Sequence, residues 1–418
     1  MTKLYRPLEA FEHIFAEGSA DGSMTVVNLA LLEGTLELED IAAAADRLQA
    51  QYQILNVGIA KHGERWHFVP SELPVSINYE VTPSHLSLKS FAFQQMEAEC
   101  EMRFNQDGPL WRIRVILGES HHALLIASHH SICDGISAQL MLDQLVAELN
   151  APSQTQTMAP IPSSVSQCVM HQVTDLEDTP FTSERIPDRL AAWVDTSQPI
   201  TMNNSLAWLD IEDHYLQGLL RQCRQQGVTL NSLLTSVITK ALARIATSPV
   251  TQVDCSANAN ARPYCDPKYA DNELGAFAAC FSIDVDTRDS TWQIAQKTGA
   301  QLAAIVDNRS LLNSCKHEWF EKRAEKAFPF PPLGRHTCLH FSNLGRLSFS
   351  QCDEALPLRV TDCYFSSGQH KSGSVFWVGA STVNGSLNLT INCVRPLVPD
   401  SMKLQFLQEL EHGLMALL

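Results

Sequence analysis

The segment HALLIASHHSICDG, residues 122–135, constrains this chain more than any other. Ala123 to Ala127 make an uninterrupted apolar run of the length expected for a buried strand. The run ends on Ser128, His129 and His130 and passes through a turn that closes on Gly135. A helical pattern then takes over from Ile136 through Leu140, Leu142, Leu145 and Val146. A strand ending in two imidazoles is unusual, because each partly buried ring needs partners for two nitrogens. Strand, turn and helix in direct succession hold those rings on rigid supports at a loop, a favourable place for chemistry. At neutral pH an uncharged His there can take the proton of an attacking hydroxyl.

The remaining elements set the fold class. A first helix carrying Leu8, Phe11 and Phe15 precedes a strand from Met24 to Gly34, and Leu38, Ile41, Ala45, Leu48 and Tyr52 then recur at helical spacing. WHFVP and VSINYEV read as strands, LSLKSFAFQQMEAECEM as a helix and LWRIRVILG as the strand before the histidines. From residue 151 to about 195 periodicity gives way to Ser, Thr, Gln and Pro, the composition of a crossover. Beyond it, LQGLLRQCRQQG and TLNSLLTSVITKALARI are helices, the second capped by Thr229 or Asn231. TQVDCSANANARP, FAACFSIDV, CLHFSNLG, SVFWVGAST and GSLNLTINCV read as strands. Helices are expected at 291–307 and 316–327, followed by the loop AFPFPPLGRHT, and an amphipathic helix that packs on its own domain closes the chain. This is a mixed α/β (α+β) pattern in two comparable halves without regular βαβ alternation, which predicts two layered domains and neither a barrel nor a Rossmann fold. The expected boundaries are 1–160, a crossover at 161–195, and 196–418.

Charge narrows the partners. Thirty Lys and Arg against 46 Asp and Glu give a formal charge of −16, the wrong sign for nucleic acid. An anionic co-substrate would need a local basic patch against that field. The N-terminus MTKLYRPLEAFEHIF lacks the apolar core of a signal peptide, and no stretch is long and apolar enough to span a bilayer, so the cytoplasm is expected. Twelve scattered cysteines without a CxxC pair read as small buried hydrophobes and occasional surface thiols.

For the histidine segment itself three other readings stand beside general-base catalysis. Strand-end histidines can serve a hydrogen-bond network alone. A metal on His129, His130 and Asp134 needs two adjacent imidazoles on one ion although strand neighbours face opposite sides, so no metal is expected. Cys133 beside His130 suggests a Cys–His nucleophile, but no third group is identifiable to orient it. Asp134 can organise the turn, and Gly135 allows a chain reversal or a close backbone approach. VFWVGAST (Val375 to Thr382) either lines an apolar channel or is core.

His129-His130-Ser131-Ile132-Cys133-Asp134-Gly135 resembles the His-His-x-x-x-Asp-Gly signature of the superfamily of nonribosomal peptide condensation domains, chloramphenicol-acetyltransferase-like enzymes, and phthiocerol dimycocerosate and alcohol acyltransferases. FNQDGPLWRIRVI, Asn260-Ala261-Arg262 and HFSNLGRL (His340 to Leu347) resemble further segments in the same order. RPLEAFEHIF resembles the opening of the free-standing, alcohol-acylating branch. The Asp-Phe-Gly-Trp-Gly segment of the plant branch is missing. The resemblance implies two chloramphenicol-acetyltransferase-like domains in a V-shaped pseudodimer, with donor and acceptor entering an interdomain channel from opposite faces. It implies His130 as general base, Asp134 as a structural partner of Arg262, and His129 and Gly135 in support. Ser342 and Asn343 would contact an oxyanion or substrate, or merely cap a turn beside Gly345, and Arg346 would meet phosphates of the donor. No bound cofactor is implied. The co-substrate would be acyl-CoA or a phosphopantetheinyl acyl carrier, and the acceptor a small-molecule alcohol or amine from secondary metabolism or lipid synthesis. An acyl or peptidyl carrier protein is the implied macromolecular partner of an otherwise monomeric enzyme. Amide formation between carrier-bound substrates is the alternative reaction.

Overall fold

A computed structural model describes residues 4–9, 11–18, 24–153, 157–173, 176, 190–195, 202–266, 268–269, 273–316, 332–349 and 356–418. In chain order the first half contains α1 (Phe11–Gly18), β1 (Thr25–Gly34), α2 (Leu38–Gln51), β2 (Val57–His62), β3 (Arg65–Pro70), β4 (Ser76–Val81), α3 (Leu88–Glu101), β5 (Trp111–Leu117), β6 (His121–His129), α4 (Gly135–Asn150) and α5 (Val165–Val173). The second half contains β7 (Asn203–Ile211), α6 (Asp213–Gln226), α7 (Leu230–Ile245), β8 (Gln252–Asn260), β9 (Ala278–Asp286), α8 (Thr291–Asp307), β10 (Arg335–Arg346), β11 (Leu358–Ser367), β12 (Gly373–Val383), β13 (Ser386–Arg395) and α9 (Asp400–Met415).

The strands form two main sheets, ordered β11-β1-β6-β5-β4 and β7-β13-β12-β10-β8-β9, and β2 and β3 make a separate hairpin. The apolar run of β6 is explained by cover on both of its faces. Leu124 and Ile126 pack with Ile41 and Leu48 of α2 and with Leu142 and Leu145 of α4. Ala123, Leu125 and Ala127 face the other way, onto Ala92, Phe93 and Met96 of α3. In the second sheet Leu339, Phe341, Phe376, Val378, Leu389 and Ile391 turn to a helical layer. That layer includes Leu233, Val237 and Leu242 of α7 and Phe406 and Leu410 of α9. The closing helix thus buries its apolar face on the second sheet. On the opposite face Ser256 of β8 meets His340 of β10, while Trp377 and Ser381 of β12 pack on Phe365 and Cys363 of β11 in the first sheet.

Three features depart from the sequence expectations. Strand β11 comes from the span expected to be a contiguous 196–418 unit, yet it joins the first sheet, running antiparallel to β1 from Val26 opposite Ser367 to Gly34 opposite Leu358. Backbone approach is so close there that a Cβ on Gly34, at φ +131°, would meet the Pro357 carbonyl oxygen at 1.9 Å. The expected crossover contains α5, whose Val165, Cys168, Val169 and Val173 are buried on one face; interleaved Ser and Gln obscured that spacing. Strand β7 is a further element the reading passed over. The α7 cap is Thr229, which accepts from the Ser232 N–H, while Asn231 lies inside the helix. The helix expected at 316–327 lies, beyond Lys316, outside the described residues. Among the described residues no helix is long and apolar enough to cross a membrane.

Candidate active site

Main-chain groups place His130 in the turn after β6. The His130 N–H donates to the Met24 carbonyl at 3.0 Å. Met24 adopts φ +71°, a conformation a non-glycine residue holds only when its surroundings over-determine it. The His130 ring nitrogen Nδ1 lies 2.8 Å from the Cys133 carbonyl oxygen. A carbonyl only accepts, so Nδ1 carries the proton and Nε2 keeps its lone pair. The Phe15 ring of α1 stacks on the imidazole, with centroids 4.1 Å apart and planes within 14°. Burial pulls the His130 pKa below 6.5, while the Cys133 carbonyl and the Asp134 charge pull the other way. The ring is therefore neutral at pH 7, the state a base requires.

Asp134 points away from the base. Its Oδ2 accepts from Arg262 Nη1 at 2.8 Å and from the Phe277 N–H at 2.9 Å. Its Oδ1 caps α4 by accepting from the Ser137 N–H at 2.8 Å and also takes Arg262 Nη2 at 3.3 Å. Arg262 Nη2 donates further to Ser137 Oγ and to the Glu273 carbonyl. Both ion-pair side chains are almost wholly out of water, at 1% and 5% exposure. The pair thus fastens the His130 turn to the loop after β8 in the second half, and removing either partner would strand a buried charge.

His129 is turned into the core. Its Nδ1 accepts from the Ser131 N–H at 3.1 Å and lies 2.7 Å from Ser131 Oγ. That leaves Nε2 as a buried donor with no partner among the described residues. Burial, helped by the neighbouring His130, pushes its pKa down to about 3, so it stays neutral. Its ring faces Phe104 edge-on.

His130 opens onto a small cavity whose lining includes Phe11, Phe15, Ala278, Asn258 and Cys280. Across from it, the second sheet presents a polar cluster. Ser256 Oγ lies 2.9 Å from His340 Nδ1, Asn258 Nδ2 lies 3.3 Å from His340 Nε2, and Cys280 Sγ donates to Asn258 Oδ1 at 2.9 Å. Burial, with His130 as the second cause, pushes the His340 pKa down to about 4.

A condensation-domain profile matches residues 14–336 of this sequence. The chain belongs to the condensation-domain family. Over 120 residues it is 32% identical to tyrocidine synthase 3 of Brevibacillus parabrevis, a stretch covering 28% of this chain and 2% of that synthase. The chain thus matches only a small part of that curated relative's length. Among solved structures, the trichothecene 15-O-acetyltransferase of Fusarium sporotrichioides superposes over 99% of this chain and 95% of its own, with a TM-score of 0.76 at 12% identity. Polyketide synthase associated protein 5 of Mycobacterium tuberculosis superposes over 100% of both chains, with a TM-score of 0.71 at 15% identity. At such identities the likeness is one of fold.

Within this condensation-domain chain the sequence-predicted residues fall into two groups. His130, His129, Asp134, Gly135 and Arg262 come together at one turn. A Cβ on Gly135 would sit 3.0 Å from Leu344 Cδ2, so it is a side chain of β10 that approaches it and not a second backbone. Asn343, expected either near an oxyanion or as a turn cap beside Gly345, makes the cap: its Oδ1 accepts from the Gly345 N–H, and its Nδ2 donates to Asn231 Oδ1. The alternation of β10 sends Phe341 and Asn343 one way and His340 and Ser342 the other. Arg346 ends β10 as an exposed residue. Trp377 of VFWVGAST lies parallel to the His340 ring, while Phe376 belongs to the core. Reading the sequence missed Phe15 as the partner of His130 and missed Ser256, Asn258, Cys280 and His340. A signal existed in β8, where Asp254, Ser256, Asn258 and Asn260 put a polar residue at every second position. That pattern normally marks a solvent-facing strand.

Proposed function

We propose that this chain is an acyltransferase that moves an acyl group from a thioester to a hydroxyl of a small-molecule acceptor, by direct transfer with His130 as the base. The observation that carries the reading is the His130–Cys133 bond, which fixes the proton on Nδ1 and leaves the Nε2 lone pair available. In the reaction His130 Nε2 takes the acceptor proton as the acceptor oxygen bonds to the thioester carbon. The carbonyl oxygen becomes an oxyanion, the tetrahedral intermediate collapses, the carbon–sulfur bond breaks, and the thiolate leaves with the proton from Nε2. A thioester is already activated, so this sequence needs neither a protein nucleophile nor a resident cofactor. Cys133 fits a packing role, because it is buried and burial drives its thiol pKa far up, away from the thiolate. Asp134 and Arg262 hold the turn in place, and His129 supports it from the core. The acyl-CoA donor, the acceptor from secondary metabolism or lipid synthesis, the monomeric state and the cytoplasmic setting belong to the same proposal.

The family match favours one second reading, the joining of two carrier-bound substrates through an amide. Thiol release by the purified protein separates the two. It would be followed with acyl-CoAs from short to long, with and without pooled alcohols and amines, and then with the same acyl groups on a carrier protein. Release that requires an alcohol and is lost in His130→Ala is the expected result. Release from carrier thioesters only, with an amine as acceptor, would replace it with the condensation reading. Full activity in a folded His130→Ala protein would sink both.

A further inference from the structure

Asn258 projects from β8 into the cavity that holds His130, and its amide is fixed at both ends. Its Oδ1 accepts from Cys280 Sγ at 2.9 Å. Its Nδ2 donates to His340 Nε2 at 3.3 Å. With Nε2 accepting, the His340 proton sits on Nδ1 and donates to Ser256 Oγ at 2.9 Å. The His340 ring also lies parallel to Trp377, with planes within 4°. An amide nitrogen carries two hydrogens. One is used on His340, and the other has no partner among the described residues. Asn258 is itself exposed.

The rest of the cavity makes that hydrogen matter. Phe11, Phe15, Ala276 and Ala278 contribute apolar surface. The Asp134 carboxylate is occupied by Arg262, Ser137 and Phe277. Among the described side chains that line this space besides His130, Asn258 supplies an uncommitted N–H, already oriented by its bonds to Cys280 and His340. A donor oriented before charge develops needs no reorganisation at the moment of reaction. Asn343, the earlier candidate for this role, spends its amide on Asn231.

We infer that Asn258 donates to the substrate carbonyl oxygen as it becomes an oxyanion, and that His340 and Cys280 are the positioning residues that aim its amide. The inference rests on the acyl-transfer reading above. When the acceptor atom bonds to the carbonyl carbon, the carbonyl electron pair moves onto oxygen and the Asn258 N–H meets it. When the carbon–sulfur bond breaks, that pair returns to the double bond. The His340 ring stays neutral through the cycle because it serves as a hydrogen-bonding brace.

The test uses the full chain in the thiol-release assay with the best donor and acceptor. Asn258→Ala should lower kcat by about 100-fold or more with both KM values within about 3-fold. Asn258→Asp keeps the shape but removes the N–H, and it should lose at least as much, which guards against a cavity artefact of the alanine. The acid limb of the pH profile should not move in Asn258→Ala, since His130 still sets it. His340→Ala should cost less and should add nothing to Asn258→Ala in the double variant, and His340→Gln, which can still accept from the amide, should recover part of the loss. The inference is overturned if wild type turns over, His130→Ala does not, and Asn258→Ala keeps its kcat or changes only a KM. Additive effects of the two substitutions would remove His340 from its positioning role. A wild type silent with every CoA and carrier thioester would instead bring down the acyl-transfer reading, and the inference with it.

Discussion

The two walls that meet at the cavity are anchored by different means. On the first wall His130 is placed by peptide groups, its N–H on the Met24 carbonyl and its Nδ1 proton on the Cys133 carbonyl. The turn that carries it is tied down by the buried Asp134–Arg262 pair. On the second wall, Cys280, Asn258, His340 and Ser256 hold one another side chain to side chain. A backbone-anchored group keeps its aim when neighbouring side chains change. A side-chain relay fails one link at a time.

Substitutions can break this comparison, and the largest expected effect is on the base. His130→Ala should lower turnover by about 100- to 10,000-fold without altering the unfolding transition, as measured by thiol release and by thermal melting. A variant that also failed to fold would show that the imidazole holds the turn up, contrary to its backbone anchoring. Next in size comes the clamp. Arg262→Ala or Asp134→Ala leaves one buried charge unpaired and should cost about 3–5 kcal/mol in denaturant unfolding. Activity would fall with it because the turn would lose its place. Asp134→Ala with unchanged stability would mean that the pair is not the fastening.

Titration sharpens the contrast. His129 on the first wall and His340 on the second have pKa values pushed from 6.5 down to about 3 and about 4. Between those values and 6.5 the unfolded chain binds more protons than the folded one. Stability is therefore full above pH 6.5 and declines as the pH falls through that window. Denaturation at pH 7 and near pH 4.5 should show this decline, and His340→Gln should make it shallower. An unchanged slope in that variant would show that His340 is not held neutral by the fold. Activity should share an acid limb set by His130, at a pKa below 6.5 because its ring is buried. The smallest effect concerns the ring stacked on it. Phe15→Ala should let water in and move the acid limb up towards 6.5, leaving the high-pH plateau within about 3-fold. A limb that stays in place would show that burial by other groups sets the His130 pKa.

The first wall was legible in the sequence because it is local. One heptad carries His129, His130, Asp134 and Gly135, and the apolar run before it announces the strand. Arg262 could be paired with Asp134 only through a family resemblance, since 128 residues separate them. The second wall was illegible for the opposite reason. Ser256, Asn258, Cys280 and His340 lie on three strands, and a polar residue at every second place looks the same whether it faces water or a substrate cleft. Of the two readings offered for Asn343, the turn cap beside Gly345 is the one its side chain makes. Strand β7 was missed because NNSLAWLDI follows a polar crossover without a turn signal. Strand β11 was missed because its apolar residues serve a sheet in the other half of the molecule.

Strand β11 has a consequence for how the molecule is made. The first sheet is encoded by residues 25–129, except for the edge that covers β1, which arrives only with residues 358–367. During synthesis at about 5–20 residues per second, that edge stays open for on the order of ten seconds or more after β6 has left the ribosome. An unpaired strand edge is a template for wrong partners, including the same segment of a neighbouring nascent chain. Protease digestion of ribosome-arrested chains ending before and after residue 367 would show whether the first sheet closes only when its last strand arrives. The order of translation would then decide when the base first gains its complete surroundings: late, and all at once.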